Sequence, residues 1–189
     1  CTTRLYLQNI FAHGCAAAAG VAGLVLGVAG LLSTAPLTLS LASNIPQLTF
    51  ALRLDPLAAF FVLTISLVGL AASVYAYGYV EEFSGRVSVG LLGSLLNGFL
   101  LSMTLVVLAD NGFFFLILWE VMSLLSYVLV VTEHEKPGVR EAGLFYLIMT
   151  HVGTAFIILT LLIFSQETGS FSFEAFRRRD CGRLRSLRP

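Results

Sequence analysis

Charge is what this chain has least of. Only 22 of its 189 residues carry charge, 11 of each sign, so the formal net charge is zero. That is 12 % charged residues, where a soluble domain has about 25 %. A chain with no net charge has no long-range field to draw nucleic acid or an acidic ligand. Cysteine is scarce as well. Cys1, Cys15 and Cys181 are odd in number and far apart, which excludes a disulfide scaffold. They lack metal-ligand spacing and no Cys/His cluster exists, so neither iron–sulfur nor nickel is expected. No phosphate loop, dinucleotide fingerprint or Ser–His–acid set is present. We therefore expect no cofactor, no metal and no soluble small-molecule substrate on this chain. What is abundant is apolar side chain, at 57 %. That excludes intrinsic disorder and leaves a polytopic membrane protein.

The 21 charges other than Glu120 sit in short clusters, and between them lie five stretches long enough to span a bilayer. They are residues 14–33, 56–80, 87–109, 111–132 and 142–165. Five consecutive helices that are apolar all round could not be covered by a soluble chain of this length. The first lacks a strongly basic n-region and is too long for a secretory signal; its Gly and Ala content suits close helix packing in lipid. Tyr75, Tyr77 and Tyr79 form an interfacial aromatic belt at the end of the second. The link at 34–55 alternates apolar and polar residues over 37–41 and 48–54 around Asn44-Ile45-Pro46-Gln47, which predicts a small β-hairpin. The very short link at Asp110 makes the third and fourth helices a tight antiparallel pair.

The fold expected is all-α integral membrane, about five transmembrane helices with a small extracytoplasmic β-hairpin. Residues 1–176 form the membrane domain, and 177–189, with six arginines, read as a non-native or disordered basic tail. With five crossings, Arg4, Arg86, Lys136 and Arg140 lie on one side and Arg53 on the other. Setting the tail aside, that four-to-one bias places loop 133–141 in the cytoplasm; counting the tail's six arginines makes it four to seven and reverses the rule, and the first count is the one adopted because the tail reads as foreign.

Glu120 is the one acid inside a span, near the middle of 111–132. An ionised side chain there costs ~2.5–3.5 kcal/mol on insertion scales, so it calls for a use or a partner. It is either neutral by desolvation or ionised beside a cation, and both states make it a proton-loading candidate. Ser123 at i+3 and Tyr127 at i+7 extend a polar seam from it, with Ser126 at the edge. His151, flanked by Thr150 and Thr154, is the second candidate, because histidine titrates near neutral pH. The alternative is that Glu120 and His151 only pin helices together by hydrogen bonds. Trp119 reads as packing, His134 as solvated, and His13 is assigned nothing.

LILWEVMSLLSYVLVV, followed by a charged loop and AGLFYLIMTHVGTAFIILTLLIF, resembles the antiporter-like subunits of respiratory complex I and its relatives. LRLDPLAAFFVLTISLVGLAASVYAYGYV is similar to an earlier helix pair of the same family. EAGLFYLIMTHVGT and QETGSFSFEAFR resemble the large membrane subunits of group 4 NiFe hydrogenases, those of the hydrogenase-4 or formate hydrogenlyase type. The resemblance covers roughly residues 10–177 and implies an N-terminal, incomplete part of the 14-helix antiporter-like fold. It implies a proton-translocating subunit driven by electron transfer in partners, namely other membrane subunits and a peripheral redox arm, in a prokaryotic inner membrane. It also implies a lysine partner for Glu120 two helices later, whereas the only lysine here is Lys136, in a loop. Two further readings are a component of a multisubunit Na+/H+ antiporter and an inactive truncated membrane fragment.

Overall fold

The computed structural model describes residues 2–42, 48–79, 89–133 and 137–178. The hairpin turn at 44–47, Arg86, His134, Lys136 and residues 179–189 of the basic tail lie outside them. Among the described residues, five helices are long and apolar enough to cross a bilayer. Helix α1 (Thr2–Leu32) begins ahead of its apolar span, Gly14–Leu32, because residues 2–13 contain no glycine or proline to stop it.

Helix α2 (Pro56–Tyr79) starts where the sequence supplies a cap. The Ala58 amide donates to Asp55 Oδ1 at 2.9 Å, and Pro56 fills the first-turn position where its missing N–H goes unneeded. In lipid, helices associate by close packing rather than by hydrophobic burial. Gly20, Gly23, Gly27 and Gly30 give α1 a smooth stripe facing Leu70, Ser66, Leu63 and Ala59 of α2. A Cβ on Gly27 would lie 2.8 Å from Leu63 Cβ and 3.0 Å from Leu63 N, so the two backbones nearly touch. Beside this seam, Leu54, Ala58, Ala59 and Val62 form a buried cluster with Val107 and Leu108 of α3 (Val89–Leu108).

Strands β1 (Leu37–Ala42) and β2 (Thr49–Leu54) pair antiparallel in the register Leu37 to Leu54. The link from α3 to the next helix continues this sheet. The Asp110 amide donates to Ala51 O at 2.8 Å, and Leu52 and Ala109 form a bridge. On the link's other side Asn111 bridges Ser172, and the Gly112 amide donates to Phe171 O at 2.7 Å. The link is thereby held between β2 and residues 171–172. Asn111 also caps helix α4 (Gly112–Val130), its side chain accepting from the amides of Phe113 and Phe114, each at 3.0 Å. After a 3-10 turn at Val131–Glu133, Gly138 opens helix α5 (Val139–Thr168) in a left-handed conformation, φ 86°. Gly169, φ 71°, closes it with its amide on Ser165 O. Helix α5 outruns the apolar stretch 142–165 at both ends, because Val139–Glu141, which carries the charged Arg140 and Glu141, and the polar Gln166–Thr168 stay helical up to the glycines.

Several hydroxyls inside the spans are spent on their own helices. Ser73, Ser102 and Thr104 donate to Gly69, Phe99 and Leu100 carbonyls, the arrangement by which a polar side chain tolerates lipid.

Candidate functional site

Helices α4 and α5 run antiparallel along a thin seam. At one end Gly143 admits Val131 and the Tyr127 ring; a Cβ on Gly143 would meet Val131 Cγ2 at 2.5 Å and Tyr127 Cε2 at 3.4 Å. At the other end Gly112 faces Leu161. Only Gly143, Thr154 and Leu161 are buried along the described part of α5, a single stripe with the rest of the helix turned outward.

Midway along the seam the structure brings Glu120 and His151 together. Glu120 Oε2 lies 3.7 Å from His151 Nε2, close enough for an ion pair and longer than a hydrogen bond. The carboxyl therefore has a basic neighbour within this chain. His151 Nδ1 lies 2.9 Å from Leu147 O. A carbonyl can only accept, so that bond places a proton on Nδ1 and turns Nε2 towards Glu120. The side chains are 34 % exposed for Glu120 and 52 % for His151, so the pair sits on an open flank of the α4–α5 unit and not in its interior.

The other two candidates are placed differently. Ser123 is buried, at 3 % exposure, and its hydroxyl donates to the Glu120 backbone carbonyl at 3.1 Å, not to the carboxyl. Tyr127 is half-buried against Gly143, further along the same face. Thr150 donates to Leu147 O and Thr154 to Thr150 O, so neither hydroxyl proton is available to His151.

Two features escaped the sequence reading. Trp119 is more than packing: its indole N–H donates across the seam to Thr154 Oγ1 at 3.2 Å. The signal was present in an antiparallel register, since residues flanking Glu120 face residues flanking His151. The second is a charged cluster where the hairpin meets the α3–α4 link. Asp110 pairs with Arg53 at 4.0 Å beside a cavity of about 320 Å³ also lined by Asp55, Phe173 and Arg177. Arg53 Nε is buried there without a hydrogen bond. Burial pushes the Asp110 carboxyl above its ordinary value, and the neighbouring Arg53 and Arg177 only partly oppose it. Nearby, the hydrogen bond from Arg178 holds the Glu174 carboxyl below its ordinary value. Nothing in the sequence pattern joins residues 53, 110 and 177; the fold does.

Among the described residues no group of three His, Cys, Asp or Glu side chains is placed to hold a metal ion.

Known proteins are similar to this chain in sequence and in fold. Residues 109–185 match the family described as NADH:quinone oxidoreductase/Mrp antiporter, TM, and residues 41–87 match NADH-Ubiquinone oxidoreductase (complex I), chain 5 N-terminus. Hydrogenase-4 component B of Escherichia coli (strain K12) is 36 % identical over 166 residues, 84 % of this chain and 24 % of that protein. NADH-quinone oxidoreductase subunit L of Mycobacterium tuberculosis is 34 % identical over 127 residues, 67 % of this chain and 20 % of that protein. The chain thus spans about a quarter of the length of the curated relatives it matches. A chain of the membrane-bound sulfane sulfur reductase, an archaeal respiratory membrane complex, superposes with a TM-score of 0.60 at 23 % identity, over 93 % of this chain and 30 % of that one. That likeness establishes a shared fold. With five apolar helices, the small hairpin and both matched families on one chain, it belongs to the antiporter-like membrane subunits of complex I and the related hydrogenases.

Proposed function

We propose that the chain is part of a proton-translocating membrane subunit of a hydrogenase or NADH dehydrogenase-like respiratory complex. The observation that carries the reading is the Glu120–His151 pair at 3.7 Å in the middle of two spans. One exchangeable proton between Oε2 and Nε2 gives either a carboxylate beside an imidazolium or a carboxylic acid beside a neutral imidazole. Both states have zero net charge, so passing the proton within the pair avoids the cost of an isolated charge in hydrocarbon. Adding or removing one more proton charges the pair, and that is the step that electron transfer in partner subunits would drive.

In this reading Ser123 and Tyr127 line the approach to Glu120. The Ser123 oxygen keeps its acceptor capacity while its proton is engaged, which suits it to hold a water beside the carboxyl. The partners would be other membrane subunits and a peripheral redox arm. The membrane would be a prokaryotic inner membrane, with loop 133–141 cytoplasmic and the β-hairpin on the opposite face. The loop charge bias supports that orientation.

In the assembled complex, Glu120→Gln is expected to abolish proton translocation, read by a pH-sensitive dye in vesicles, while redox turnover by the partners continues. Undiminished translocation in that variant would refute the proposal. The matched family description names Mrp antiporters too, which supports a cation/proton exchanger as a second reading. Cation-driven proton movement in vesicles without any electron donor would favour it.

A further inference from the structure

Trp119 stands one residue from the proposed relay and makes a contact that the relay itself does not explain. Its indole N–H reaches Thr154 Oγ1 at 3.2 Å, across the seam. The Thr154 hydroxyl donates its own proton to Thr150 O, so its oxygen is turned to accept. Thr154 is among the three buried residues of α5. The indole ring is fixed from the other side as well. Phe115 stacks on it with centroids 5.7 Å apart, and Phe173 meets Phe115 edge-on at 6.0 Å.

Thr154 lies three residues after His151, and Trp119 one before Glu120, so the tie and the pair occupy one register of two antiparallel helices. Within the spans the rest of the seam is held by glycines that permit approach without fixing rotation, Gly143 against Val131 and Gly112 against Leu161, and the bonds of Asn111 and Gly112 to Ser172 and Phe171 tie α5 only past its C-terminal end. The helix radius is roughly 5–6 Å, so rotating α5 by about 30° would carry a side-chain tip some 3 Å sideways. A movement of that size would separate His151 Nε2 from Glu120 Oε2.

We propose that Trp119 is a positioning residue: its indole N–H, anchored on Thr154, sets the register of α5 on α4 that keeps His151 opposite Glu120. The proposal rests on the proton-relay reading of that pair for its functional consequence, but its geometric part is measurable without any proton assay.

The test uses the full chain in native membranes, with Cys1, Cys15 and Cys181 changed to Ser and Glu120→Cys paired with His151→Cys. A short bifunctional thiol reagent reports their proximity, and the membrane-inserted amount is quantified on the same gels. Trp119→Phe, which keeps the ring and loses the donor, is expected to lose most of the cross-link. So is Thr154→Val, which keeps the shape and loses the acceptor. The two together do no more than either alone, and Thr154→Ser restores the product. In the assembled complex with Glu120 and His151 intact, Trp119→Phe shifts the pH profile of proton translocation in the direction that His151→Gln shifts it, and Thr154→Ser leaves it unshifted. A cross-link in Trp119→Phe equal to the parent's overturns the proposal. So does a cross-link lost in Trp119→Phe and kept in Thr154→Val, or a lost cross-link beside an unaltered pH profile. If instead Glu120→Gln leaves translocation intact, the relay reading fails, and the cross-link still decides the geometry.

Discussion

The α1–α2 seam gives a prediction whose sign is set by geometry. In Gly27→Ala the added methyl would lie 2.8 Å from Leu63 Cβ and 3.0 Å from both Leu63 Cα and N. Carbon atoms pack best at about 3.5–4.0 Å. Two of the three obstructing atoms are backbone, so no rotamer change relieves them. The helices must separate locally by roughly 0.5–1 Å, a gap that forfeits a quarter to a half of each neighbouring contact's attraction. Gly20 against Leu70 and Gly30 against Ala59 share the seam and would loosen with it. Overpacking of this kind costs about 1–3 kcal/mol. The better helix propensity of alanine returns at most about 1 kcal/mol. The net change is a loss centred at about 1 kcal/mol, and about 1–3 kcal/mol relative to Gly14→Ala, which takes the same propensity gain without the clash. Gly14 and Gly153 have nothing within 4 Å of a would-be Cβ, so alanine there is neutral or slightly stabilising. Gly23→Ala meets mainly the Ser66 side chain, which can turn aside, and so costs less than Gly27→Ala. The assay is reversible unfolding in mixed micelles, followed by a fluorophore pair on α1 and α2. Gly27→Ala as stable as Gly14→Ala would refute the close-approach argument.

Asn111→Ala removes the acceptor for two first-turn amides of α4 and should cost about 1 kcal/mol, measured in the same micelles; an unchanged midpoint would count against the cap. Asp110 gives a pH prediction. Its carboxyl is raised in the folded state by burial, so docking of the link is strongest below the unfolded value of 3.8 and weakens as pH climbs from there through the raised native value. Protection of the Gly112 amide against hydrogen exchange, corrected for intrinsic rate, should fall across that window, and Asp110→Asn should remove the dependence. The same slope in the variant would show that another group is responsible.

The spans were legible because apolar length is a one-dimensional property, and the described helices follow the expected stretches closely. The hairpin was legible for a similar reason: Leu37, Leu39 and Leu41 alternate against Leu54, Leu52 and Phe50 as the period-2 pattern requires. Helix ends were less so. Hydropathy marks where lipid begins, whereas α5 is bounded by Gly138 and Gly169, which take left-handed conformations beyond the apolar run. At the site, Glu120 and His151 were each conspicuous as polar groups in apolar surroundings, but their approach was not, because it depends on the register of two helices. The same limit hid the Trp119 bond. Ser123 lies on the expected face, yet its hydroxyl turned to the nearer carbonyl, the default for a helical serine.

The pairing of Asn111 with Ser172 also bears on biogenesis. As the chain leaves the ribosome, the elbow between α3 and α4 emerges well before the stretch that covers its far side. Until α5 has been threaded and its exit segment arrives, the Gly112 amide lacks the Phe171 carbonyl that it finally holds. A piece synthesised late thus acts as a latch on a corner made much earlier. A nascent chain stalled within α5 should show that corner open to protease, and release of the stall should close it.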